Sequence, residues 1–177
     1  MIKRENYLNK IRPFIDKGVV KVITGIRRSG KSVLLQLISD ELIETGVKKS
    51  QIKFINFETK ALDYVNDVDS LYEEIKKFAD KNKKSYLFLD EIQELDGWEK
   101  VINSCMIDFD IDIYITGSNA KMLSGELATY LAGRYVEVKV YPFSFDEVKE
   151  VMGDKGEKDL FNQYLATPTN PYWDRKS

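Results

Sequence analysis

The segment VVKVIT, residues Val19 to Thr24, runs straight into Gly25-Ile26-Arg27-Arg28-Ser29-Gly30-Lys31-Ser32, and helical spacing begins at the next residue, Val33. Few patterns restrict a chain so strongly. An apolar strand must end, turn through a glycine-framed bend and enter a helix within eight residues. Gly25 and Gly30 permit the backbone angles that turn successive N–H groups inward, and the helix start adds its positive dipole end. Such a bend cradles an anion, and a polyphosphate fits best. Lys31 would reach the outer phosphates, and the Ser32 hydroxyl would face a divalent cation bridging them. Residues Gly25 to Val33 are therefore the candidate binding loop. Arg27 and Arg28 would either flank phosphates or face solvent, and the sequence leaves both open.

The rest of the chain alternates in the same way. Short apolar runs at Ile52 to Phe57, Tyr86 to Asp90, Ile111 to Thr116 and Tyr135 to Val140 join Val19 to Thr24 as expected strands. Their near-continuous apolarity suits strands covered on both faces, so the expected class is α/β with a parallel sheet and crossover helices. The first crossover carries Leu34, Leu35, Ile38, Leu42 and Ile43 on one helical face, with Gly46 as its stop. Ser70 with Glu73 and Ser144 with Glu147 read as capping boxes that open two further helices. Trp98 to Phe109 and the stretch around Leu123 to Leu131 supply the remaining expected helices. Trp98 and Phe109 are expected in the core. The organisation expected is a helical lead-in at 1–18, a core at 19–145, the start of a helical segment at 146–165, and an irregular tail at 166–177.

Composition narrows the chemistry. The chain has 177 residues, 43% hydrophobic and 32% charged, which suits one compact core. It has no histidine, which removes imidazole bases and Ser-His-Asp catalysis, and its lone Cys105 removes an internal disulfide or thiolate cluster. Chemistry must then rest on carboxylates, Lys, Arg, hydroxyls, amides or a bound cofactor. Lys plus Arg total 27 against 29 acids, a formal charge of -2 that argues against a nucleic-acid partner. No apolar run reaches the ~20 residues that span a bilayer, and the opening MIKRENYLNK is not a signal pattern. No membrane association and a cytoplasmic location are expected.

Further candidates stand at strand ends. SYLFLDEIQ closes an apolar strand with Asp90 and Glu91, a costly placement unless the charges have work. Successive residues there point to different sides, so Asp90 is assigned to a Mg²⁺ and Glu91 to an attacking water, against the alternative that both are strand-end charges in solvent. IDIYITGSNA ends in Thr116, Ser118 and Asn119. If its strand lies between the loop strand and the DE strand, Asn119, or Ser118 after it, would orient water beside the phosphate; otherwise it is an ordinary turn. Arg134 stands between Gly133 and a strand, either as a solvated charge or as a cation offered to a neighbouring subunit's phosphates.

Together these motifs resemble the prokaryotic AAA-type P-loop ATPases, with TGxRRxGKS at Thr24 to Ser32, LDEIQ at Leu89 to Gln93, GWE at Gly97 to Glu99, TGSN at Thr116 to Asn119, Gly133-Arg134, and PFSF at Pro142 to Phe145. The resemblance implies an additional-strand, AAA-like P-loop NTPase fold of strand order 5-1-4-3-2, with ATP and Mg²⁺ at its carboxyl edge. It implies Mg²⁺-dependent ATP hydrolysis with Lys31, Glu91, Asn119 and Arg134 as the catalytic set. A nucleotide-dependent regulatory or interaction module with negligible turnover is the alternative. Adjacent Asp90-Glu91 argues against a third reading, a small-molecule kinase, because activated water is what a kinase avoids. A homo-oligomer, or an unidentified protein partner, follows if Arg134 acts in trans. After Leu165, where relatives continue toward a C-terminal domain, the chain reads ATPTNP, so truncation ahead of that domain is expected.

Overall fold

In the computed structural model the described residues are 4–59, 64–79, 83–118, 131, 133–152 and 161. A five-stranded sheet is built from β1 (Val20–Thr24), β2 (Ile52–Asn56), β3 (Ser85–Asp90), β4 (Ile111–Gly117) and β5 (Tyr135–Lys139), in the order β2-β3-β4-β1-β5. Every pairing is parallel. Read from the other side this is the order 5-1-4-3-2, and each strand lies within one residue of its expected bounds.

The helices described are α1 (Glu5–Ile11), α2 (Lys31–Glu44), α3 (Val68–Phe78), α4 (Trp98–Asp108) and α5 (Phe145–Met152). The strand pleat divides the interior in two. On one face Val22, Leu87, Leu89, Ile113 and Ile115 pack with Leu71 and Ile75 of α3 and with Trp98, Ile102 and Cys105 of α4. On the other Ile23, Phe88, Tyr114 and Val138 pack with Leu34, Leu35 and Ile38 of α2 and with Leu8 and Ile11 of α1. Burying each such side chain contributes roughly 1.5–3 kcal/mol before entropy is charged against it. Trp98 is thus a core residue, as expected, with Phe109 packed against the same core.

Helix ends follow local chemistry where tertiary packing allows. α2 stops at Thr45, and Gly46, at φ 104°, turns the chain so that its N–H donates to Ile43 O and that of Val47 to Leu42 O. Ser144 and Glu147 form the expected box at the start of α5, the Ser144 N–H donating to Glu147 and the Glu147 N–H to Ser144 Oγ. The Ser70 expectation is corrected: Asp67 is the cap of α3, accepting from the Ser70 N–H at 2.7 Å, and Ser70 sits one turn in. Starting earlier packs Val68 against the core formed around Leu71, and a carboxylate is a stronger acceptor there than a hydroxyl. The expected helix around Leu123 to Leu131 and the tail at 166–177 lie outside the described residues, Leu131 apart. Among the described residues no helix is long and apolar enough to cross a membrane.

Candidate functional site

Parallel pairing brings the strand ends that carry polar residues to one edge. In register, Ile23 lies beside Thr116, Leu89 beside Ile115, and Asn56 beside Asp90. β4 therefore stands between the loop strand and the DE strand, the condition on which a role for its polar end depended. Thr116 does the joining. Its hydroxyl donates to Asp90 Oδ1 at 2.5 Å and accepts from the Glu91 N–H at 2.9 Å, while Asn56 Nδ2 donates to Asp90 Oδ2 at 2.9 Å. Asp90 is consequently fixed in rotamer and almost fully buried.

The loop wraps the N-terminus of α2. A Cβ on Gly25 would lie 2.4 Å from Val140 O and 2.7 Å from Ser29 Oγ, so only glycine lets the loop close against the end of β5. Arg28 at φ 64° and Gly30 at φ 88° both take left-handed backbone, which reverses the chain into the helix. Lys31 folds back under this bend. Its Nζ lies 3.1 Å from Gly25 O, 3.3 Å from Ile26 O and 3.0 Å from Glu91 Oε1, with the side chain 3% exposed. Glu91 is held from its far side as well, Gln93 Nε2 donating to its Oε2 at 2.7 Å. Its own backbone is left-handed, at φ 55°.

Above Lys31 opens a cavity of about 400 Å³. Loop residues Gly30, Ser32 and Val33 line it, as do the side chains of Arg27 and Arg28 and the carboxylates Glu58 and Glu91. Three cations against two carboxylates leave the cavity net positive. Arg27 is exposed and pairs with Glu58 at 3.1 Å, and Arg28, also exposed, lines the same cavity. Ile26 is exposed, and Ser29 is buried with its Oγ lacking any hydrogen-bond partner, a polar atom left open inside the loop. A buried unsatisfied hydroxyl is costly, and this one lies on the Gly25 side of the loop rather than on the cavity lining.

The donor set suits Mg²⁺. That ion keeps several waters and takes one or two protein oxygens plus phosphates, so it needs no carboxylate cage. Among the described residues no group of three or more acidic or cysteine side chains gathers to hold a metal. Ser32 lines the cavity, and Asp90, whose two oxygens each accept one hydrogen bond and retain further lone pairs, is not part of that lining but immediately precedes the cavity-lining Glu91; these are the two oxygen donors that could serve such an ion. Lone Cys105 offers no nucleophile, since burial pushes its thiol up to about 12.

Two candidates fall elsewhere. Asn119 lies outside the described residues; Ser118, next to it, is half-buried at the end of β4. Arg134 precedes β5, whose first residue Tyr135 pairs with Val20 at the start of β1, while the loop leaves the other end of that strand. The two are a strand length apart, about 16 Å at ~3.3 Å per residue, so Arg134 does not reach its own loop. It is exposed and donates to Asn103 Oδ1 of α4. Sequence reasoning missed Asn56 and Glu58, although a polar residue closing an apolar strand was the signal that found Asp90. It also missed Arg4, which lies behind the loop.

A family model described as "AAA domain" matches residues 17–149. The chain belongs to the AAA domain family. An uncharacterized protein of Haemophilus influenzae is 48% identical over 148 residues, which are 83% of this chain and 37% of that protein. The uncharacterized protein MJ1544 of Methanocaldococcus jannaschii is 39% identical over 130 residues, 72% of this chain and 27% of its own. The chain thus spans well under half the length of these curated relatives. Among solved structures, a DNA polymerase III gamma subunit-related protein from Thermotoga maritima has a TM-score of 0.61 at 18% identity, covering 92% of this chain and 56% of that one. A Saccharomyces cerevisiae Hsp104:casein complex in its extended conformation has a TM-score of 0.60 at 14% identity, covering 93% and 30%. These likenesses show a shared AAA fold. Membership in the AAA family suggests an ATPase-like protein that binds nucleotide.

Proposed function

We propose that this AAA domain binds ATP with Mg²⁺ in the cavity above Lys31 and hydrolyses it to ADP and phosphate. The observation that carries this reading is the Lys31 ammonium, buried at the foot of a cationic cavity and held by groups that an entering phosphate can replace. Phosphate oxygens take over Lys31 from Glu91, and the loop N–H groups close around them. Ser32 and Asp90 would hold the Mg²⁺, which would supply positive charge against the charge of the phosphates. Glu91, released from Lys31, accepts a proton from the water that attacks the γ-phosphorus as the bond to ADP breaks. Asn119, or Ser118, orients that water. Arg134 serves a neighbouring copy's nucleotide, which makes a homo-oligomer the working assembly. The core responsible runs over residues 19–145.

A second reading, a regulatory module with negligible turnover, draws on the fact that Glu91 is tied on both sides, by Lys31 and Gln93. Single-turnover hydrolysis separates the two. With Glu91→Gln the rate is expected to fall about 10²–10⁴-fold, the usual contribution of a positioned base, while ATP still binds. Equal, near-zero rates for both proteins would favour the regulatory module.

A further inference from the structure

Arg4 is a charged side chain 1% exposed, in the segment 1–18 that the sequence presents as a helical lead-in. Its guanidinium makes three directed contacts. Nη1 donates to Ser29 O at 2.6 Å, Nη2 to Tyr141 O at 2.8 Å, and Nε to Glu147 Oε1 at 3.1 Å. The Tyr7 and Phe143 rings each lie 4.5 Å from its central carbon. Burying a guanidinium is costly unless it is paired and hydrogen-bonded, and an aliphatic residue would fill this space without that cost. An aliphatic residue lacks the donors to Glu147, to Tyr141 and to Ser29, and of these three partners the one in the candidate binding loop is Ser29.

That contact falls inside the candidate binding loop. The peptide joining Ser29 to Gly30 is trans, as the chain has no cis peptide among the described residues, so its C=O and N–H point in opposite directions. Holding Ser29 O toward Arg4 therefore sends the Gly30 N–H the other way, and Gly30 lines the cavity. A hydrogen bond from a permanent cation to the carbonyl also polarises the peptide, which makes its N–H a stronger donor. Space on the rear side is closed too, since a Cβ on Gly30 would come within 3.2 Å of Arg4 Nη1.

We propose that Arg4 is a positioning residue for phosphate binding: from behind the loop it fixes the Ser29–Gly30 peptide so that the Gly30 N–H faces the bound phosphate. This rests on the reading of the cavity as a nucleotide site. Arg4 never touches the ligand. Through Glu147 and Tyr141 it also ties the loop's setting to the start of α5, and through its own position to α1.

The test is calorimetric titration of the full chain with MgATP, alongside thermal melting, for wild type, Arg4→Lys, Arg4→Ala, Lys31→Ala and Leu71→Ala. Leu71 lies in the core on the opposite sheet face and reports what loss of stability alone does to affinity. Arg4→Lys keeps the charge but loses the fork, and its affinity is expected to fall roughly ten- to a hundredfold. Leu71→Ala is expected to melt at least as early yet bind as wild type does. Millimolar guanidinium should restore part of the affinity of Arg4→Ala; should that variant not fold, Arg4→Lys decides alone. Wild-type affinity in Arg4→Lys, or a loss no greater than in Leu71→Ala, overturns the proposal while leaving the nucleotide site standing. Failure of wild type to bind MgATP, with Lys31→Ala no different, overturns the site reading and this proposal with it.

Discussion

Lys21 and Lys31 both bury an ammonium group beside a carboxylate, one within β1 near its start and one beyond its end at the start of α2, and the two pairs are finished differently. Lys21 faces Asp112 with both side chains at 1% exposure or less. Asp112 is filled further by the Tyr114 hydroxyl at 2.7 Å and the Asp16 N–H at 3.2 Å, and the Tyr114 ring lies 4.8 Å from the ammonium. Burial depresses the Lys21 pKa against the pull of Asp112, and burial, followed by the Asp112 charge, pushes the Tyr114 hydroxyl far above its ordinary range. This pair has no opening. Lys31 is as deep, but Glu91 is 13% exposed and lines the cavity, and the ammonium's other partners are loop carbonyls. The same chemistry serves cohesion when every valence is closed by protein, and exchange when one side faces a space that a ligand can enter.

That contrast can be broken. Lys21→Met leaves Asp112 buried without its counter-charge and should cost about 3–5 kcal/mol in urea unfolding, with MgATP affinity of the folded fraction unchanged. A loss of affinity as large as that from Lys31→Ala would erase the distinction between the pairs. Next in size, Thr116→Val removes one acceptor bond from Asp90 and the partner of the Glu91 N–H. It should cost about 1–3 kcal/mol by the same measurement and raise the Mg²⁺ concentration needed for ATP binding. Stability lost with an unchanged Mg²⁺ requirement would reduce Thr116 to a packing residue.

The smallest effect belongs to an exposed carboxylate. The Ser70 backbone N–H, helped by the Ser70 side chain, holds the Asp67 carboxyl below its usual range. Its contribution is complete above the ordinary carboxylate pKa and disappears as pH falls through the lower folded value. Asp67→Asn should therefore leave stability near neutral pH almost unchanged and flatten the acid limb below roughly pH 4 in a melting series. An acid limb identical to wild type would show that the cap is not titrating there.

The fold was legible because its signals are local. The three central strands, β1, β3 and β4, are buried along their whole length and the outer strands β2 and β5 only in part, yet all five are short, predominantly apolar or β-branched and aromatic runs set off by glycine or polar residues. The loop was legible for the same reason, as an unbroken eight-residue string. Contacts made by topology were not. Arg4 meets Ser29 across 25 positions, Thr116 meets Asp90 across 26, and Asn56 meets Asp90 across 34, and nothing in the flanking residues announces those meetings. Ser70 illustrates a subtler miss. Its spacing to Glu73 fits a capping box, but packing of Val68 drew the helix start back to Asp67.

The claim that the open pair is an exchangeable phosphate site is tested most directly by MgATP affinity in wild type and Lys31→Ala, each checked for folding. Wild type is expected to bind and the variant to lose roughly a hundredfold or more, with unfolding free energy far less affected than by Lys21→Met. Undiminished affinity in folded Lys31→Ala would contradict it.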